Sequence, residues 1–373
     1  MDDFADAVLH REDVEKRKRT VYIKAVFLKI EDINTIQEFF SGLVFVKARW
    51  REPMLDNYNG KDVSTIKWEG MWQPKLEINN TLGEAKQQIW RDVQFNASGE
   101  AFALEKRRVK GNFTERMELQ EFPFDIQDLS LLITSDFKEE VIQLEEDEED
   151  ISCVVTDTFV DEQEWDLKKF VQCEPRTTID QFSKDKYRRP GLFFRCCVIR
   201  KAGFFIWNII CNMAIISALS FTTFAVPRTL PQNRIQLSFI LILACVTFKF
   251  AASQSVPKIS YLTHLDRYIL GSMIFLFFVA IWHGIVTRFD DDKTDNLDWY
   301  AYITFIVIYV TVHALFFITM IVRGYKRRSL VQQRETDYLM RLDRSHGLDS
   351  KSEVPKSKWR IRPGPASKVG IKV

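Results

Sequence analysis

The sequence predicts a two-part chain, an all-β sandwich over residues 1–200 followed by four membrane-spanning helices over 201–322. Three observations carry this expectation. Charge and polar–apolar alternation dominate the first 200 positions, the stretch from Gly203 to Val322 is mostly apolar, and several uncharged runs within it are long enough to cross a bilayer. With 373 residues, 46% of them hydrophobic, and a net charge of +1, two domains of ordinary size fit the length.

In the first part, Tyr22–Ile30 and Leu43–Trp50 alternate and are rich in β-branched and aromatic residues, as strands are. Leu129–Thr134, Ile151–Thr158 and Leu192–Ile199 continue the pattern, and turn clusters at Asp56–Gly60 and Ala97–Gly99 punctuate it. The charged opening, 2–18, is expected to form a short exposed helix. Many short strands without a strong helical stripe are the mark of a sandwich.

The apolar part divides into four spans, 203–225, 235–254, 268–287 and 299–322. A helix needs about 20 apolar residues to cross a hydrocarbon core about 30 Å thick. The first, third and fourth spans hold no Asp, Glu, Lys or Arg; the second carries Lys249 and is the weakest by hydropathy alone. Short connections join them. The remaining tail, 323–373, has 14 Lys and Arg against 5 Asp and Glu and ends in Lys, Ser, Pro and Gly, so a flexible polar tail is expected.

Met1-Asp2-Asp3-Phe4 is acidic and lacks the apolar core of a secretory leader, and the expectation is a mature or trimmed chain. Three sequons start at Asn79, Asn96 and Asn112, the candidate glycosylation sites. The six cysteines show no metal-ligand spacing. Cys153 and Cys173 read equally as a bridge or as two free thiols, while Cys211 and Cys245 read as packing residues of membrane helices. No nucleophile motif, phosphate-binding glycine loop or metal cluster stands out, so neither an enzyme, a cofactor nor a nucleic-acid partner is expected. The broken helices and internal repeats of a transporter are also missing. The acidic run Glu145–Asp150 reads more readily as a solvated turn than as a calcium or proton site.

Phe122-Pro123-Phe124-Asp125-Ile126-Gln127 resembles the signature loop of the Cys-loop receptors, the pentameric ligand-gated ion channels. Further stretches are similar to family motifs in the right order, from about residue 20 to 322. They are Ile30-Glu31-Asp32-Ile33-Asn34, Trp50-Arg51-Glu52-Pro53-Met54-Leu55, Trp72-Gln73-Pro74 with Asn80, Glu164-Trp165, Arg200, and Val256-Pro257-Lys258-Ile259-Ser260-Tyr261. The family closes its signature loop with a disulfide. Glu115 and Leu129 stand at those two positions here, so packing and hydrogen bonds must close the loop instead.

The resemblance implies an immunoglobulin-like extracellular sandwich on a multi-pass subunit of the plasma membrane. It also implies four further subunits (a homopentamer or a heteropentamer), a small-molecule ligand at the subunit interface, and lipid around the spans. The second span lines the pore in this family. Counting back from Val256-Pro257-Lys258 puts Arg234 at its cytoplasmic foot. Gln236, Ile240, Leu243, Thr247 and Gln254 then share one face, with Phe250 or Ala251 beside them, at about 100° per residue. Rings of Ile240 and Leu243 are the expected gate, closing by dewetting. No acid lies between Pro227 and Phe250, and Arg234 is the nearest charge, which leans toward anion selectivity.

For the ligand, the resemblance points to Phe45 and Lys47 on the complementary face. On the principal face it points to Asn79, Asp136, Phe137, Phe182, Tyr187 and Arg189. This aromatic box is thinned, and it suits an acidic or amphipathic ligand better than an amine. Asp32, Asp125 and Arg200, next to Pro257 and Lys258, are the expected coupling cluster between sandwich and membrane. The alternative is a non-conducting or partner-dependent subunit of the same fold. One feature opposes the implied topology: the basic Arg323–Arg328 would lie outside the cell, against the positive-inside rule.

Overall fold

The computed structural model describes residues 18–56, 66, 68–179, 187–254, 259–288 and 294–349. The expected opening helix therefore lies outside the described residues, apart from Lys18, as do Phe182, Pro257, Lys258, most of the Asp56–Gly60 turn and the end of the tail.

Two sheets face each other. The first runs β4 (Thr81–Phe95), β5 (Ala101–Thr114), β2 (Phe39–Arg51), β1 (Arg19–Asn34) and β7 (Ile142–Glu146), with β8 (Cys153–Val154) also on β1. The second runs β3 (Leu76–Ile78), β6 (Ile126–Ser135), β10 (Arg188–Arg200) and β9 (Trp165–Ile179). Strand β2 shows why this chain folds so: every second residue, from Phe40 to Trp50, turns inward and is buried. Between the sheets lie Phe27, Phe40, Trp50, Phe113, Leu129, Trp165 and Phe194, all fully or nearly fully buried. Gly42 faces a register shift in β1, where a Cβ would sit 2.7 Å from the Lys29 carbonyl oxygen; only glycine fits there. The β4–β5 turn is closed by Gly99 at φ +82°.

The strand expected over 151–158 shrinks to Cys153–Val154. Strand β7 already pairs with the first half of β1, and the Ser152 hydroxyl accepts the Ala25 N–H at 3.1 Å where a strand carbonyl would. All six cysteines are free thiols.

Four helices follow. Helix α1 (Gly203–Ala225) contains a π turn at Ile206–Ile210 and ends as a 3₁₀ helix from Leu219. Helix α2 (Pro231–Ser253) starts four residues before the expected 235, because Pro231 fits the first helical turn, where no N–H is needed. Helix α3 (His264–Val286) also starts early, held by a capping box in which Thr263 accepts from the Asp266 N–H and Asp266 accepts from the Thr263 N–H.

The fourth helix departs most from expectation. Helix α4 (Thr294–Asp349) is a single helix of 56 residues and does not stop at Val322. Its rise gives a rod of about 84 Å. The expected flexible tail is thus helical through Asp349, and it lies against the sandwich. Val331 and Tyr338 are buried with Phe170, Cys197 and Ile199 of β9 and β10. Most of the polar residues that follow Val322 are good helix formers, and no proline interrupts them before 350.

Candidate functional site

Three places concentrate the expected functional residues: the junction above the membrane, the outer faces of the sandwich, and one side of α2.

At the junction, Asp125 and Arg200 are both almost fully buried. Arg200 Nε lies 2.8 Å from Asp125 Oδ1, and a second guanidinium nitrogen bonds Glu164. The Arg200 guanidinium also stacks over Trp165 at 4.0 Å and Phe122 at 5.0 Å. Gln127 donates to Asp125 Oδ2 at 2.7 Å and to the Glu118 carbonyl at 3.0 Å, tying the signature loop to the same carboxylate. Asp32 makes no bond to Arg200. It acts at a distance, adding to the burial that raises the pKa values of Asp161 and Glu164. The loop is seated on the membrane part by the Tyr261 hydroxyl, which accepts the Leu119 N–H at 3.1 Å, and by the His264 N–H, which donates to the Gln120 carbonyl at 3.1 Å. Phe122 meets Phe205 of α1 edge-on at 4.6 Å.

The missing disulfide has a polar replacement. Glu115 Oε2 accepts the Ser130 N–H at 2.8 Å and also the Ser130 hydroxyl, so the two ends of the loop are joined beside Leu129. Burial pushes the Glu115 carboxyl above its ordinary range, and the two Ser130 bonds offset this only in part.

The ligand candidates fall into two groups on different sheets. On β2, Phe45 lies 5.9 Å from Trp90 of β4, a partner the motifs did not point to. Lys47 is engaged by Asp150 at 2.9 Å, which Lys24 also grips. Burial raises the Asp150 pKa, but the two lysines outweigh it and hold the carboxyl below its usual value. The acidic run is tied to its neighbours at Asp147 and Asp150 while Glu148 and Glu149 stay exposed, and Arg49 reaches Asp147 at 2.9 Å and Glu149 at 2.7 Å.

On the second sheet, Arg189 bonds Asp136 and reaches Glu77 at 3.2 Å. The Asn79 amide oxygen accepts from the Thr134 hydroxyl at 2.9 Å. Phe137 stacks on Trp72 at 5.8 Å. Each of the three described rings in this group carries a cation from the same chain. Arg19 lies over Trp72 at 4.7 Å, Lys75 over Phe137 at 5.5 Å and Lys138 over Tyr187 at 5.2 Å. Motif reading missed Arg19 and Lys138, which have no spacing signal and meet the rings only through the fold.

Of the three sequon residues, Asn96 is exposed in the β4–β5 turn, Asn79 is exposed with its oxygen engaged as above, and Asn112 is half-buried and accepts from the Ser41 hydroxyl.

Helix α2 has two unlike sides. Arg234, Ser238, Cys245 and Ala252 are buried against the rest of the subunit. Gln236, Ile240, Leu243, Thr247, Phe250 and Gln254 are exposed, Leu243 at 65%. Lys249 is half-buried, off that stripe. Arg234 does not face the same way as the other pore candidates. Its guanidinium bonds Asp298 of α4 at 2.9 Å, the Val226 carbonyl at 2.6 Å and the Phe224 carbonyl at 3.1 Å. The reason is helical phase: nine residues separate Arg234 from Leu243, about half a turn out of register at 100° each.

Two family models match the chain. The neurotransmitter-gated ion-channel ligand binding domain covers residues 8–195, and the neurotransmitter-gated ion-channel transmembrane region covers residues 213–299. The chain is 25% identical to acetylcholine receptor subunit epsilon of Xenopus laevis, over 70% of this chain and 53% of that protein. It is 23% identical to acetylcholine receptor subunit delta of the same species, over 72% and 54%. With neuronal acetylcholine receptor subunit alpha-9-II of Oncorhynchus mykiss it shares 20% identity, over 73% and 49%. The chain spans about half the length of the curated relatives it matches.

Proposed function

Because the chain belongs to the neurotransmitter-gated ion-channel family, we propose that five such subunits surround a pore lined by α2, opened by a small ligand bound between neighbouring sandwiches. The division of α2 carries this reading. One side is buried in its own subunit; the other leaves Ile240 and Leu243 exposed at 53% and 65% and offers no charge between Gln236 and Gln254. An apolar stripe that its own subunit does not cover becomes, in a five-fold ring, a pair of adjacent apolar constrictions. Water leaves such a constriction, and an ion has no oxygens there to replace its hydration shell.

The helices cross the plasma membrane and the sandwich lies outside the cell. Anion preference rests on the lack of carboxylates between Pro227 and Phe250 alone, since Asp298 neutralises Arg234. For the ligand, the rings of Trp72, Phe137 and Tyr187 are already covered by Arg19, Lys75 and Lys138. An organic ammonium would have to displace those cations, so an acidic or amphipathic ligand fits the principal group better.

The test needs no agonist. Leu243→Ser, expressed in oocytes with surface protein confirmed, should hold the pore wet and give a standing leak. The shift of its reversal potential when external chloride is replaced reads the selectivity. Surface protein without leak would sink the homomeric channel and favour a partner-dependent or non-conducting subunit.

A further inference from the structure

Beyond Val322, α4 climbs the sandwich along a seam of period seven. Arg327 bonds Glu121 of the signature loop at 2.7 Å, Arg334 faces Asp128 of β6 at 3.6 Å, and Arg341 faces Glu146 of β7 at 3.4 Å. Between them, also seven apart, Val331 and Tyr338 are buried at 4% and 5% exposure. The Tyr338 hydroxyl donates to the Ser152 carbonyl at 3.0 Å. A seven-residue spacing keeps side chains on nearly one face of a helix, so each arginine in turn meets a carboxylate. The three carboxylates belong to different parts of the sandwich: the loop seated on the membrane, the second sheet, and the first sheet. The helix also crosses β9 and β10 through Phe170, Cys197 and Ile199. It thus bridges the two sheets from outside and fastens both to a membrane helix.

We propose that this seam is a brake on opening, with Arg334 and Arg341 as its positioning residues. The inference rests on the channel reading above. A ligand between subunits can act on the pore only if part of the sandwich moves relative to the membrane helices. A helix fastened to both sheets and continuous with the fourth span opposes such movement, and releasing it lowers the cost of opening. The same seam accounts for part of the basic charge beyond Val322: Arg327, Arg334 and Arg341 each meet a carboxylate of the sandwich.

The experiment is made in the Leu243→Ser chain, as leak current per surface subunit. Arg334→Glu should raise the leak several-fold, and the exchanged pair Arg334→Glu with Asp128→Arg should bring it back toward the parent level. Should Arg334→Glu fail to reach the surface, Glu146→Gln, nearly identical in shape, weakens the grip of Arg341 and should raise the leak about twofold. Leak unchanged or reduced in whichever of these variants reaches the surface overturns the brake and leaves the channel reading standing. No leak in Leu243→Ser alone removes the channel reading and the brake with it.

Discussion

The two ends of the sandwich use charge in opposite ways. At the membrane end, Arg200 and Asp125 are hidden from water, and each has several partners fixed around it. At the proposed ligand side, Arg189 pairs with Asp136 and Glu77, whose side chains are 46% and 53% exposed. A buried pair is costly to disturb and so fixes geometry, whereas an exposed pair contributes little and exchanges partners readily. On the proposed reading, motion enters at the exposed pairs, which a small molecule can rearrange, and the buried cluster at the membrane end passes that rearrangement on without dissolving.

The sharpest way to break this contrast is Arg200→Gln against Asp136→Asn. The first strands the buried Asp125 carboxylate and should cost about 3–5 kcal/mol; the second should cost less than about 1 kcal/mol. Thermal unfolding of the purified variants compares them, and near-equal losses would end the distinction. Any Arg200 variant that reaches the surface should also uncouple ligand from opening.

Next in size is Glu115→Ala, which leaves the Ser130 N–H and hydroxyl without their acceptor and should cost about 1–3 kcal/mol. Stability should also respond to pH. Burial raises the pKa values of Glu115, Asp128 and Glu146. A carboxyl whose pKa is higher folded than unfolded binds its proton more tightly in the fold. Stability is therefore gained as pH falls from neutrality through the raised values, and the gain is complete below the unfolded ones. Asp150, held low by its lysines, works the other way and loses its contribution as pH falls below the usual Asp range. Glu115→Gln should remove part of that gain, and a melting-temperature profile below pH 7 that it leaves unchanged in shape would contradict the raised value of Glu115.

The smallest effect belongs to the ligand side. Lys75→Gln with Lys138→Gln uncovers the rings of Phe137 and Tyr187. Tetramethylammonium should then shift the Leu243→Ser leak at a few-fold lower concentration than in the parent, in line with about 0.5–1 kcal/mol per exposed cation–π contact. An unchanged dose dependence would mean that the lysines do not guard the rings.

Strands β1 and β2 were legible because one of their faces is dry and burial forces alternation, and β10 because it is apolar on both faces, both being covered from Cys196 to Arg200. Strand β4 was not: nearly every residue from Leu82 to Trp90 is exposed, so neither face leaves a pattern. The three uncharged spans were equally plain, since hydrocarbon admits little else. Hydropathy could not follow α4 beyond Val322, where the partner changes from lipid to protein. The signal there was a different one, Arg327, Arg334 and Arg341 at equal spacing with Val331 and Tyr338 between them. The Asp125–Arg200 pair was readable through its motifs. Arg234 was placed at the foot of α2 with no side assigned, because a count along the chain gives height before it gives direction, and its burial against Asp298 came only with the fold.

One consequence of α4 concerns the bilayer itself. The same rigid rod that crosses the membrane is pinned to the sandwich at Glu121, Asp128 and Glu146. A helix longer than the local hydrocarbon answers a thinner membrane by tilting. Tilt at the foot of this rod becomes sideways displacement at its top, where the two sheets are fastened. Lipid thickness should thereby reach the extracellular domain as a mechanical input, without any ligand.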